Sequence, residues 1–202
     1  MKLGPKYKIA RRLGAPIFEK TQTQKYAIRL ERKSKTRGFS KPKTEYGTQM
    51  NEKQKARFTY GLGEKQFAKY VKEALARKSE KTTQTIFEFL ELRLDNAVYR
   101  LGLAPTRLGA RQMVAHGHFS VNGKRVYTPS RHLKIGDKIE ITARSQNKPL
   151  FANVDERIKN VTIPSWMKFD AEKKVAEVQG MPAYVKTENM FDLNTVIEFY
   201  SR

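Results

Sequence analysis

The chain has 202 residues, no cysteine, and 41 lysines and arginines against 20 acidic residues, which gives a formal net charge of +21 at pH 7. The lack of cysteine excludes disulfides and thiolate metal sites, and no apolar run approaches the roughly 18 residues of a membrane-spanning helix. A hydrophobic fraction of 39% is enough for a packed core, so composition argues against global disorder and predicts an anionic partner, with nucleic acid favoured over a membrane surface.

The positive charge is concentrated in two segments. Residues 1–45 contain 14 lysines and arginines against three acids, and residues 92–153 contain 11 against three. Residues 46–91 carry a net charge of +3 and residues 154–202 a net charge of −1. We therefore expect the first and third segments to bind the anionic partner, and the last segment to face solvent or protein.

Residues 1–42 form a basic N-terminal arm. Glycine and proline residues interrupt any long helix in it, among them Gly14, Pro16 and Gly38. A solvated tail is one alternative, but apolar residues such as Tyr7 and Phe18 favour an arm that is open in the free protein and becomes ordered on RNA. Its candidate RNA-binding residues are Lys6, Lys8, Arg11, Arg12, Arg37 and Lys41.

Residues 43–91 are predicted to be helical. One helix ends near Gly61, and the next places an apolar face on one side and a Glu73–Arg77 pair on the other. A further helical pattern has Thr85 as a possible N-cap and Gly102 as a stop. The face of the second helix consists of Phe67, Val71, Ala74, Leu75 and Lys78, and the cations of this segment assigned to RNA are Lys53, Lys55, Arg57 and Lys65.

In the third segment, residues 92–153, the spacing of the apolar residues changes from a helical pattern to the alternation typical of strands. Thr106 can cap a helix that Gly117 closes, and Asn122-Gly123 is typical of a two-residue type I′ hairpin turn. A turn at residues 135–137 then leads into a strand over residues 138–141. We expect the helix face and the hairpin edge to form one cationic RNA-binding surface with Thr106, Arg107, Arg111, Gln112, His116, His118, Asn122, Lys124, Arg125 and Arg131.

The histidines raise the question of a metal site. His116 and His118 form an H-x-H pair, and His132 is the third histidine of the chain. No acidic cluster or third ligand lies nearby in the sequence, so hydrogen-bonding or phosphate-facing histidines are favoured over metal ligands. We expect no metal and no cofactor.

The last segment combines a strand pair with a terminal helix. Trp166 is expected in the core, followed by an alternating stretch to Asp170 and a returning strand at residues 175–178. The terminal apolar residues would leave an exposed patch unless they pack on the first helices or on a partner protein. This protein-contact set is Val196, Ile197, Phe199 and Tyr200.

These motifs together carry a family resemblance. Residues 93–141, from "RLDNAVYRLG" to "LKIGDKIEI", resemble the S4 RNA-binding (alpha-L) module, and "EYGTQMNEKQKARFTYGLGEKQF" and "VIEFYSR" are similar to the S4 family of small-subunit ribosomal proteins. The resemblance implies an α+β fold. In it, a helical domain of residues 43–91 and 179–202 accommodates an inserted domain, 92–178, with the module at about 92–153 and further antiparallel strands. Many members bind zinc through four arm cysteines, which this chain lacks.

The resemblance also implies a function. Members are structural constituents of the small ribosomal subunit, bind the five-prime domain of small-subunit ribosomal RNA early in assembly and nucleate it. They lie near the entrance of the messenger RNA channel beside ribosomal proteins S3 and S5, and the S5 contact bears on translational accuracy. The implied location is a cytoplasmic ribosome, with an organellar ribosome left open and no membrane partner.

Two alternatives belong to other classes. Some RNA pseudouridine synthases carry the same module and use the aspartate of an Arg-Leu-Asp motif as their nucleophile. Asp95 could represent that aspartate. In those enzymes, however, the motif lies in a separate catalytic domain, which would need roughly 200 further residues. The sequence therefore predicts that Asp95 caps a helix or pairs with an arginine, and that the chain is not an enzyme. A small RNA chaperone with the module is the second alternative, but such proteins lack the arm and the closing helix.

Overall fold

A computed structural model describes residues 3–36, 44–77, 81–170 and 173–201. The chain forms two compact units: residues 1–86 with 185–202, and residues 87–184. The domain boundaries expected from the sequence, near residues 42, 91 and 178, stay a prediction. None of the helices in the described ranges is long and apolar enough to cross a membrane.

Residues 3–36 of the N-terminal arm contain two helices in the structure. The expectation that the arm is open in the free protein and becomes ordered on RNA stays a prediction. Helix α1 (Lys6–Leu13) and helix α2 (Gln24–Thr36) are joined through a short 3-10 turn at Glu19–Thr21. Gly14 ends α1 with a φ of 71°, so this glycine interrupts the helix after eight residues, as predicted. The arm has a small core of its own, which also contacts Phe58, and its buried members are Ala10, Leu13, Ala15, Ile17, Phe18 and Tyr26.

The rest of the first unit is built from α3 (Glu45–Thr59), α4 (Glu64–Ala76) and α10 (Leu193–Tyr200). Phe67, Val71 and Ala74 of α4 are fully buried, as predicted, whereas Leu75 is half-buried. The predicted Glu73–Arg77 pair is present at 3.8 Å. Three of the expected residues, Arg37, Lys41 and Lys78, lie outside the described residues.

Helices α5 (Thr82–Glu91), α6 (Leu94–Arg100) and α7 (Arg107–Ala115) lead into the sheet. The prediction that Thr85 is an N-cap is wrong, because α5 begins three residues earlier and the Thr85 hydroxyl donates back to the carbonyl of Lys81. Thr106 is the N-cap of α7, as predicted: its hydroxyl accepts from the Gly109 amide at 3.0 Å.

The second unit contains a five-stranded antiparallel sheet. Asn122 and Gly123 form the hairpin turn with φ values of 53° and 74°, which confirms the predicted turn. Trp166 is buried in the core on one side of the sheet, as expected. The strands are β1 (Phe119–Val121), β2 (Lys124–Val126), β3 (Lys138–Ile141), β4 (Met167–Asp170) and β5 (Val175–Val178), and the short helices are α8 (Ala143–Gln146) and α9 (Val154–Lys159). The order of the strands in the sheet is β2-β1-β3-β5-β4. The fold is α+β, as predicted.

Candidate nucleic-acid interface

Arg125 joins the edge strand of the hairpin to the end of α7. Its Nε donates to the carbonyl of Gly117 at 2.6 Å, and its Nη2 donates to the carbonyl of His116 at 3.3 Å. The guanidinium also lies 4.9 Å from the ring centre of Tyr127. The contact brings the end of α7 and the hairpin together. That the helix face and the hairpin edge form one cationic RNA-binding surface stays a prediction.

Gly117 makes this contact possible. Its φ is +69°, and a Cβ added there would lie 2.5 Å from the Tyr127 ring and 2.6 Å from Nε of Arg125. Any side chain would therefore displace the arginine that joins β2 to α7. Around this junction Gln112, His116 and Lys124 are exposed, so the hydrogen-bonding groups expected at the surface are available there.

Asp95 is held by two arginines in the interior of the second unit. The Arg93 Nε and Nη2 atoms donate to its two oxygens at 3.0 and 2.8 Å, and Arg111 Nε donates to Oδ2 at 2.9 Å. The Asp95 side chain is 4% exposed and Arg111 is 23% exposed. Asp95 thus pairs with arginine, as predicted, and its enclosed carboxylate cannot act as the nucleophile of a pseudouridine synthase.

Arg107 is fixed by α6 in a similar way. Its Nε donates to Oδ1 of Asn96 at 2.9 Å, and its guanidinium lies 4.3 Å from the ring centre of Tyr99. Asn96 in turn donates to the carboxylate of Glu91 at 2.9 Å, and Arg100 binds the same carboxylate through two hydrogen bonds. Arg107 and Arg111 therefore share one face of α7, as expected, but that face lies against α6 and is only partly open to a ligand.

His118 does not lie on the surface of the second unit. It is 8% exposed, its Nδ1 lies 2.8 Å from the Ser145 hydroxyl, and its ring meets Phe151 edge-on. Burial, reinforced by the positive charges of Lys148, His116 and Arg125, lowers the pKa of His118. The neutral imidazole is thus a packing and hydrogen-bonding group, and the expectation that it faces phosphate fails because the ring points into the core.

Asn122 has a structural role beyond its turn geometry. Its side-chain amide donates to Asp137 at 2.7 Å, and its carbonyl oxygen accepts from the Lys138 amide at 2.8 Å. The hairpin tip is thereby tied to the start of β3. These bonds use one amide hydrogen and one lone pair of the carbonyl oxygen, so the exposed Asn122 side chain fixes the hairpin tip and still has a donor and an acceptor for a ligand.

Lys53 is buried in the first unit. Its Nζ lies 2.8 Å from Glu64 and 4.5 Å from the ring centre of Phe199. Burial opposes ionisation of Glu64, but hydrogen bonds from Lys53 and Tyr200 outweigh it and lower the pKa of Glu64. Burial and the adjacent carboxylate raise the pKa of Tyr200. Lys53 therefore stabilises the packing of α3, α4 and α10 and is not open to RNA.

The other expected residues differ in exposure. Lys55 pairs with Glu52 at 2.6 Å and Arg57 lies 3.4 Å from Glu64, and both cations are half-buried.

Of the expected protein-contact residues, Val196 is fully buried. Ile197, Phe199 and Tyr200 are half-buried and therefore partly accessible to a protein. The exposed set is Lys8, Arg12, Lys65, Gln112, His116, Asn122, Lys124, Arg125 and Arg131, and the half-buried set is Lys6, Arg11, Lys55, Arg57, Thr106, Arg107 and Arg111.

Residue-level prediction missed several cations of the second unit. Lys134, Lys138, Arg144 and Lys148 are all exposed. The signal that could have identified them is the charge of residues 92–153, to which they contribute without forming a motif. Among the described residues, no group of three or more His, Asp or Glu side chains could hold a metal ion.

Two consecutive parts of the chain match known protein families. Residues 2–91 match the family described as "Ribosomal protein S4/S9 N-terminal domain", and residues 92–139 match the "S4 domain". A protein of Persephonella marina named "Small ribosomal subunit protein uS4" is 40% identical over 201 residues, 98% of each chain. Proteins of the same name are 40% identical over 207 residues in Aquifex aeolicus, covering 99% of this chain and 98% of the relative, and 36% identical over 199 residues in Akkermansia muciniphila, covering 98% of each.

Proposed function

Because the chain belongs to the S4 family of small-subunit ribosomal proteins, we propose that it is a primary binder of small-subunit ribosomal RNA that recognises the five-prime domain and nucleates assembly there. The family is one of structural, rRNA-binding proteins and not of enzymes. Its place is therefore on the small ribosomal subunit, and its partner is the RNA of that subunit.

The observation that carries the proposal is the junction at Arg125. The contacts of Arg125 with Gly117 and His116 place the end of α7 beside β2, so the exposed Lys124 and the helix end lie on one side of the second unit. Lysines and arginines placed in this way neutralise phosphates and release counterions, and this release supplies much of the affinity of a protein for RNA. The proposed RNA-binding set consists of the exposed and half-buried residues given above, without Lys53 and His118.

A protein contact is proposed for the first unit. Ile197, Phe199 and Tyr200 of α10 remain partly accessible, and residues 154–202 carry a net charge of −1, the wrong sign for a phosphate surface. We assign this side of α10 to ribosomal protein S5, with S3 and messenger RNA as further neighbours at the entrance of the messenger channel. The S5 contact is the proposed route by which the chain affects translational accuracy.

The direct test is co-sedimentation followed by footprinting. The chain should remain with the small subunit after a high-salt wash and should protect nucleotides of the five-prime domain in a transcript of small-subunit ribosomal RNA. An RNA chaperone would bind free RNA but would be lost from the washed subunit. Protection confined to another domain of the ribosomal RNA would overturn the proposal for the five-prime domain.

A further inference from the structure

A groove lies between α1 and α2 of the first unit. It has a volume of about 550 Å³, and its walls include Tyr7 and Arg11 from α1 and Lys25, Tyr26, Arg29 and Arg32 from α2. Tyr7 and Arg11 are four residues apart, and Lys25, Arg29 and Arg32 follow the same helical spacing, so each helix presents these side chains on one face.

Two tyrosines are stacked at this groove. The ring centres of Tyr7 and Tyr26 are 5.7 Å apart with an angle of 25° between the ring planes. Tyr26 is 7% exposed, whereas Tyr7 is 46% exposed. Tyr26 is therefore the inner ring of the pair and Tyr7 the outer one, and nearly half of the surface of Tyr7 is accessible to solvent.

The open ring is surrounded by positive charge. Residues 3–32 contain eight lysines and arginines and two acidic residues. The Arg11 Nε donates to the backbone carbonyl of Tyr7 at 3.2 Å, and the Arg11 side chain lines the same groove as the ring. An aromatic face beside several cations is the arrangement with which proteins bind single-stranded nucleic acid: the base stacks on the ring and the cations neutralise the flanking phosphates.

We propose that an unpaired nucleotide of RNA stacks its base on the outer face of Tyr7, continuing the Tyr26–Tyr7 stack, while Arg11 and Arg29 bind its flanking phosphates. This inference deepens the proposed function and rests on it, because it gives the arm a defined ligand within the ribosomal RNA. A paired base is already stacked on both faces within its helix, so the groove selects an extruded or loop nucleotide.

Matched variants of the full chain distinguish the contribution of base stacking to RNA affinity from the contributions of positive charge and of apolar packing. Tyr7→Leu keeps an apolar side chain over Tyr26 but removes the aromatic face, whereas Tyr7→Phe retains that face without the hydroxyl. Ile28→Ala is the control, because Ile28 is on α2, is equally exposed at 46% and does not line the groove. Circular dichroism and thermal melting of each variant verify that the arm remains folded.

The affinity of each variant is measured by filter binding to a transcript of the five-prime domain, at several salt concentrations, and to a short oligouridylate. Tyr7→Leu should bind both RNAs about tenfold more weakly, while Tyr7→Phe and Ile28→Ala should stay within about twofold of the wild type. Because stacking releases no counterions, Tyr7→Leu should leave the salt dependence unchanged, whereas Arg29→Gln should reduce it.

Chemical probing of the transcript supplies the second readout. One or a few unpaired nucleotides should be protected by the wild type and by Tyr7→Phe, and should become reactive with Tyr7→Leu. Equal affinity of Tyr7→Leu and the wild type would overturn the inference, as would an equal loss in Tyr7→Phe, since that points to the hydroxyl. If the wild type does not bind the transcript, the proposed function fails. In that case the affinities of the wild type and the Tyr7 variants for the oligouridylate alone test whether the groove binds a base.

Discussion

The guanidinium of Arg93 and the carboxylate of Asp95 form a two-pronged ion pair, at 3.0 and 2.8 Å, with side chains that are only 2% and 4% exposed. Arg111 adds a second cation to the same carboxylate. Charges removed from water in this way depend on each other, because the loss of one partner leaves the other buried without compensation.

Asp95→Ala should therefore destabilise the second unit by about 3–5 kcal/mol. Unfolding in urea is followed by the fluorescence of Trp166, the only tryptophan of the chain, which is buried in the core of that unit. The control is Asp155→Ala, because the Asp155 side chain pairs with Lys174 but is 66% exposed, and its loss should change stability by no more than about 1 kcal/mol. Equal effects of the two substitutions would contradict the assignment of a buried network.

Lys124→Gln should weaken binding to ribosomal RNA without changing stability. For about six to ten neutralised phosphates, the wild-type affinity should fall by about 10³ to 10⁵ between 50 and 200 mM salt, and removing one contact should reduce the slope by about 0.9. The matched control is Lys168→Gln, since Lys168 is also exposed but lies on β4, at the opposite edge of the sheet from β2. A slope that is equally reduced by both substitutions would show that the Lys124 edge has no special part in binding.

Acid should destabilise the second unit through His118. Burial lowers the pKa of this imidazole in the folded state, so the unfolded chain takes up the proton first. The stability contribution is fully present above the unfolded value of about 6.5 and is lost as the pH falls from there towards the folded pKa. Thermal melts followed by Trp166 fluorescence should show this decline in the wild type and a smaller decline in His118→Gln. An undiminished decline in His118→Gln would assign the acid sensitivity to other groups.

Weakening the terminal helix should affect the first unit alone. Leu193 of α10 is fully buried, and Leu193→Ala should cost about 2–5 kcal/mol. Circular dichroism should therefore show an early loss of helix, while the Trp166 transition, which belongs to the second unit, keeps its midpoint. The exposed neighbour Asn194 provides the control, and Asn194→Ala should stay within about 0.5 kcal/mol. A simultaneous shift of the Trp166 transition would show that the two units unfold together.

Local features could be predicted from the sequence because their determinants lie within a few residues. The Asn122-Gly123 turn needs two residues with positive φ, and the Thr106 cap needs an oxygen three residues before a backbone amide. The family resemblance supplied the α+β fold in the same way, through contiguous motifs. These features do not depend on what packs against them.

The environment of the predicted RNA-binding residues depends on distant partners, which periodicity does not reveal. Helical spacing predicts that Arg107 and Arg111 share one face of α7. It does not predict that Asp95 of α6, 16 positions before Arg111, packs against that face. Lys53 similarly meets Glu64, and His118 meets Ser145, 27 residues further on. Net charge predicts which segments bind RNA, whereas tertiary packing decides which of their side chains stay open to solvent.

The first unit is divided along the chain, with the whole of the second unit, residues 87–184, between its two parts. During synthesis on a ribosome, α3 and α4 therefore emerge long before α10, which supplies the Tyr200 hydroxyl to Glu64 and the Phe199 ring to Lys53. At about 5–20 residues per second, this interval lasts roughly 5 to 20 s. Throughout that time the nascent chain exposes the apolar surface that Leu193 and Val196 later cover. The order of translation thus leaves the apolar surface of this helical unit uncovered until the end of the chain has been synthesised.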